Sequence, residues 1–129
     1  MPEILTKDGY MNQITLMGNI GKNAWRSQKG ESLDFTLATT ESWKDKEDQW
    51  QSRTDWHYCK IYGAKKDFLE TRLKAGCKVL LVGQQKNRMN QNQETKELET
   101  FSYVNVKEIK IVDSKSKEDR SFTFEDIPF

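Results

Sequence analysis

Apolar and polar positions alternate along most of this chain with a period of two, the pattern of strands with one face buried. Residues 11–17 set Ile14 and Leu16 against Gln13 and Thr15, which predicts a first strand, and Gly18-Asn19-Ile20-Gly21 follows with turn chemistry. Leu33, Phe35 and Leu37 alternate with Asp34, Thr36 and Ala38, so a second strand is expected over 33–40, entered through Gln28-Lys29-Gly30. Residues 42–52 are polar and lack a period, the mark of a long loop, here carrying Trp43 and Trp50. Residues 53–62, rich in aromatic and β-branched types, predict a third strand. After Gly63 the period changes. Phe68, Leu69 and Leu73 share one helical stripe within 65–74, with Gly76 placed as a C-cap. Val79-Leu80-Leu81-Val82, bounded by Gly76 and Gly83, is too short for a helix and predicts a buried strand extending through 84–89. A second long loop is expected at 90–96, then strand over 99–106 with a short further piece at 108–112.

The order is three strands, one short helix, then two strands. An all-β chain with a single helix between its third and fourth strands fits a five-stranded OB-fold Greek-key barrel, whose loops bind oligonucleotides. Residues 1–10 read as a flexible arm, because Pro2, Lys7, Asp8 and Gly9 break any period. Residues 113–125 are mostly Ser, Lys, Glu and Asp and predict a disordered, acidic linker. The barrel is therefore expected over 11–112, with residues 126–129 as a terminal tip.

Composition narrows the function. With 129 residues the chain is one domain long, and 32% charged against 35% hydrophobic residues is wetter than a typical globular domain. Net charge is only +1, so basicity must be sought by region. From Asp113 onward Asp113, Glu118, Asp119, Glu125 and Asp126 outnumber Lys115, Lys117 and Arg120, leaving the preceding residues net positive. No apolar run approaches the roughly 20 residues that cross a bilayer, and the first ten lack a signal pattern, so the expected location is cytoplasmic and nucleoid-associated. Cys59 and Cys77 lack the spacing of a zinc site and read as reduced core thiols; neither metal nor cofactor is expected.

The chemistry concentrates in residues 37–62, where Trp43, Trp50 and Trp56 are interleaved with Lys44, Lys46, Arg53 and Lys60. Flat rings among cations suit a surface on which unpaired bases stack while their phosphates are neutralised. Within the third strand Trp56, Tyr58, Lys60 and Tyr62 share one parity and His57, Cys59 and Ile61 the other, so large rings sit beside a lysine on a single face. That arrangement is unlike a core face, since Lys is rarely buried. At the other end, Asp126-Ile127-Pro128-Phe129 reads as a peptide ligand: Phe129 for an apolar pocket, its carboxylate for a basic group, and Glu125 and Asp126 for electrostatic attraction.

Taken together these motifs resemble a bacterial-type single-stranded DNA-binding protein. The matching residues are Asn12 with Leu16-Met17-Gly18-Asn19-Ile20-Gly21, Phe35-Thr36-Leu37-Ala38-Thr39 with Glu41-Ser42-Trp43-Lys44-Asp45, Thr54-Asp55-Trp56-His57, Gly76 with Val79 and Gly83-Gln84, and the terminal Asp126 to Phe129. The resemblance implies that Trp43 and Trp56 stack on bases and that Tyr62 replaces a stacking phenylalanine. Lys44, Lys46, Lys86 and Arg88 would track the DNA backbone, with Lys60 and Arg26 as further cations and Trp25 and Trp50 as further rings. It implies a homotetramer that coats single-stranded DNA without strong sequence preference, and a tip that recruits replication, recombination and repair enzymes. Two features depart from the family: Met89-Asn90 stands where a third stacking tryptophan is expected, and the linker is cut to about a dozen residues, about half of them charged. Both suit a phage, plasmid or divergent version.

Two other classes compete. An OB accessory protein of the primosomal or recombination-mediator kind would act mainly through protein contacts, and the terminal Asp-Ile-Pro-Phe argues against it. A nuclease would need Asp45, Asp48, Asp55 and His57 gathered around metal ions, which demands rigid carboxylates. Two of those acids fall in the expected loop, and the lone His57 is read as a strand-packing or subunit-contact residue; no catalytic residue is assigned.

Overall fold

The computed structural model describes residues 7–63 and 65–114. Its elements are β1 (Ile14–Ile20), β2 (Trp25–Arg26), β3 (Ser32–Lys44), β4 (Trp50–Tyr62), α1 (Lys65–Glu70), β5 (Lys78–Gln91) and β6 (Leu98–Asp113). Hydrogen bonding runs β1-β5-β6-β4-β3, and β1 returns to β3 through Asn19↔Ala38 and Ile20↔Leu37. The sheet therefore closes into a five-stranded barrel, the OB arrangement expected from the element order, with β4 and β6 paired in parallel at Cys59↔Val104. The two-residue β2, which carries no periodic signal, sits against β3 at Trp25↔Asp34.

Inward-facing residues fill the closed barrel. Leu33, Phe35 and Leu37 of β3, Cys59 and Ile61 of β4, Val79 and Leu81 of β5, and Val104 and Val106 of β6 form one buried cluster, with Ile20 of β1. Phe35 is wholly buried, a position where truncation to Ala typically costs about 3–5 kcal/mol. Leu69 of α1 and Leu73 just beyond it are buried in the same cluster.

Several sequence expectations are corrected. The first strand begins and ends later than 11–17, because Gly18 is not a turn residue. It lies inside β1 where the strand leaves β5 for β3, and a Cβ there would sit 2.2 Å from the Ala38 carbonyl oxygen. The long polar loops at 42–52 and 90–96 contract to short turns, since β3–β4 and β5–β6 are hairpins whose ladders continue to Lys44↔Trp50 and Gln91↔Leu98. Both faces of these extensions meet water, so no hydrophobic alternation marks them as strand. Each turn is tied by one side chain: Asp45 accepts from the Glu47 and Gln49 amides, and Asn92 from those of Glu94 and Thr95.

The helix is shorter than 65–74, and Phe68 leaves the apolar stripe. It is exposed and lies under the Arg72 guanidinium, 4.0 Å from ring centroid to Cζ. Gly76 does not cap the helix. With φ near 89° it belongs to the return loop, donating its amide to the Ile20 carbonyl. The run 79–82 is not uniformly buried, for Leu80 faces out opposite Met17. Residues 98–113 form one continuous strand whose register against β5 shifts at Lys78/Val79 and Val82/Gly83.

Candidate nucleic-acid interface

One continuous ladder presents the rings. Along β4 the even positions alternate away from buried Cys59 and Ile61, so Trp50, Trp56, Tyr58, Lys60 and Tyr62 share the outer face. Their partners on β3 are small or polar: Lys44, Ala38, Thr36, Asp34 and Ser32 respectively. A small partner leaves a ring face open. Trp56 is 62% exposed, Trp50 69% and Tyr62 42%. Trp56 leans over β1's end, where a Cβ on Gly21 would fall 2.6 Å from the indole Cζ3; the glycine makes room for the ring.

Trp43 is exposed as well, but it pairs with Gln51, one step out of phase with Trp50 and Trp56. The hairpin thus carries rings on both faces. Lys44 is on the Trp50 side, its Nζ 5.4 Å from that ring centroid and 3.4 Å from Asp48. Lys46 is exposed in the turn between the strands.

The barrel floor beside this ladder holds rings that sequence reading left unassigned. Phe101 and Tyr103 of β6 alternate with buried Val104, and their partners on β5 are Arg88 and Lys86. Edge contacts link Trp25 to Tyr58 at 5.9 Å and Tyr58 to Phe101 at 5.0 Å, while Phe101 stacks on Tyr103 at 5.9 Å. Arg88 lies over Tyr103, its Cζ 5.8 Å from the centroid. Trp25, Tyr58 and Arg88, with Tyr62, Lys29 and Ser32, border a concavity of about 350 Å³. The shared parity of Phe101 and Tyr103, next to the basic Lys86-x-Arg88, is the signal that could have revealed them.

Two expected phosphate contacts are otherwise engaged. Lys60 is buried, and its Nζ bonds Asp34 Oδ2 at 3.0 Å. The same oxygen accepts the Tyr58 hydroxyl at 2.6 Å, and Ser32 Oγ donates to Oδ1 at 2.6 Å. Burial, then the neighbouring carboxylate, pushes the Tyr58 phenol well above its ordinary range, so it stays a donor. Arg26 points to the helix instead of the groove. Its Nε donates to Glu70 at 2.6 Å and its Nη2 bonds Asp67, which holds the Asp67 carboxyl below its usual value. Lys22, unassigned from sequence, sits 4.4 Å over the Trp25 ring.

The acids of the nuclease alternative do not converge. Asp45 caps its turn, Asp55 pairs with Arg53, and His57 Nε2 shares a hydrogen bond with Thr39 Oγ1 at 2.9 Å. Among the described residues no group of three or more His, Cys, Asp or Glu could hold a metal ion, and no helix is long and apolar enough to cross a membrane. The tip at 126–129 and nearly all of the linker lie outside the described residues.

Comparison with known proteins agrees with this geometry. A protein named single-stranded DNA-binding protein 1, from Chlorobaculum tepidum, is 35% identical over 81 residues, covering 60% of this chain and 50% of that protein. The chain thus spans about half the length of that curated relative. Among solved structures, the Plasmodium falciparum SSB in complex with ssDNA superposes with a TM-score of 0.70 at 22% identity, covering 84% of this chain and all of that one. A small single-stranded DNA-binding protein from Streptomyces coelicolor gives 0.57 at 20% identity, covering 77% and 92%. Both share the fold. The profile of the Single-strand binding protein family matches residues 11–112, and with most of its length so matched the chain belongs to that family.

Proposed function

We propose that this protein binds single-stranded DNA without strong sequence preference, stacking bases on Trp56, Trp50, Tyr62 and Trp43 while Lys44, Lys46, Lys86 and Arg88 neutralise phosphates. The observation that carries it is the exposure of three tryptophans and a tyrosine on one solvent-facing hairpin, where a core would have hidden them. Family membership and relatives named for the same ligand support it. Each engaged ring contributes on the order of 1–3 kcal/mol and every base offers a π-face, so affinity comes without base readout. Each neutralised phosphate adds a salt-dependent increment.

The binding unit is residues 11–112, joined through the charged segment 113–125 to the tip Asp126-Ile127-Pro128-Phe129, which recruits replication, recombination and repair enzymes. The protein works in the cytoplasm as a homotetramer and uses no cofactor or catalytic group. Titration with oligo-dT tests the core of this reading. Indole emission falls as bases cover Trp50 and Trp56, and unchanged emission over a concentration range that saturates a basic control protein refutes it. Light scattering with and without long oligo-dT reports subunit number and stoichiometry. Pull-down of repair enzymes with and without residues 126–129 separates a recruiting tip from an inert one, and capture independent of DNA would favour the accessory-protein reading.

A further inference from the structure

Lys60 is out of place among the groove cations. It lies directly across the ladder from Asp34, with its side chain 11% exposed and that of Asp34 2%. The carboxylate is nearly saturated: Tyr58 and Lys60 share one oxygen and Ser32 takes the other. Held there, the ammonium sits 5.5 Å from the Tyr58 centroid and 5.9 Å from that of Tyr103. One buried carboxylate therefore fixes the rotamers of a lysine and a tyrosine and, through the lysine, braces a second tyrosine on the neighbouring strand.

For Lys60 to meet a phosphate it would have to abandon Asp34, leaving a buried, unpaired carboxylate bonded only to neutral hydroxyls. Breaking such a pair costs more than a solvent-screened phosphate contact returns. We propose that Asp34 is a positioning residue that withdraws Lys60 from phosphate binding and turns it into a cation–π brace for the Tyr58–Tyr103 floor. The ionic footprint of the face is consequently smaller by one charge than its lysines and arginines suggest. This inference rests on the single-stranded DNA reading.

The test is the slope of log K against log salt for labelled oligo-dT, measured on wild type, Lys86→Gln, Asp34→Asn and the charge-free double variant Asp34→Asn/Lys60→Met. Losing one phosphate contact changes the slope by about 0.7 on a single strand. The double variant removes both buried charges together and leaves no orphan. Its slope matches wild type even where loss of the brace lowers affinity, whereas Lys86→Gln flattens the slope by about 0.7. Asp34→Asn alone frees the ammonium toward the backbone and steepens the slope by a similar amount. A double variant that flattens the slope overturns the proposal, as does a folded Asp34→Asn protein whose slope is unchanged. The double variant decides alone if Asp34→Asn does not fold. Failure of wild type to bind oligo-dT would instead strike the underlying functional reading.

Discussion

Replacing Trp56 with alanine separates a binding ring from a structural one, because the two roles carry different magnitudes here. The residue is 62% exposed, so roughly four tenths of it is covered, in part where it lies against Gly21. A buried aromatic hides about 150–250 Å², which makes the covered part roughly 60–90 Å² and its burial worth at most about 2 kcal/mol at 25 cal/mol/Å². That is a minor part of the 5–15 kcal/mol typical of a domain, so the variant remains folded at room temperature with a lowered melting point. Binding loses a stacking partner worth about 1–3 kcal/mol, a fall of about 5- to 150-fold in affinity for oligo-dT at fixed salt. The salt slope is unchanged, since no cation is lost. Fluorescence anisotropy of a labelled oligonucleotide measures both quantities, with thermal unfolding alongside. Unaltered affinity in a folded variant would refute the reasoning, and so would a variant that cannot fold, since the ring would then be structural.

Other outcomes follow from the same geometry. Gly18→Ala drives a Cβ to 2.2 Å from the Ala38 carbonyl oxygen at the barrel seam, so it should cost several kcal/mol, on the order of 3 or more, in chemical denaturation; a midpoint like wild type would show that the seam can spread. Hydrogen bonds from Gln49 and Gln51 lower the Asp45 carboxyl below its ordinary 3.8. Its contribution to stability is therefore full above about pH 4 and lost as pH falls through the depressed value; Asp45→Asn should flatten the melting temperature between pH 2.5 and 5, and an unchanged acid limb would contradict this. Burial pushes the Cys59 thiol up to about 12, and both cysteines are buried and free, so a thiol reagent at pH 8 should label the protein only after unfolding; rapid labelling of the native protein would count against the packing.

Sequence patterning captured the barrel because its core face is strictly alternating. Leu33, Phe35 and Leu37 against Cys59 and Ile61 are as periodic in the chain as they are opposed in the ladder. It failed where strands run past the barrel. Residues 42–44, 50–52 and 98 pair fully, yet both their faces are wet, so nothing in their chemistry distinguishes ladder from loop. The outward phase of the β4 rings was legible for a related reason: Trp56, Tyr58 and Tyr62 fall at positions opposite in phase to the core residues Cys59 and Ile61. The fate of Lys60 and Arg26 was not, since it depends on Asp34 across a strand pair and on Asp67 and Glu70 some 40 residues away, contacts that only tertiary structure creates.

The phase difference between Trp43 and Trp56 constrains the path of any bound strand. A straight polymer laid along a flat ribbon could touch every second residue and no more. To reach both indoles it has to fold around the ribbon's rim, so short oligonucleotides would satisfy one side only, and binding should strengthen in a second step once a ligand is long enough to make that bend.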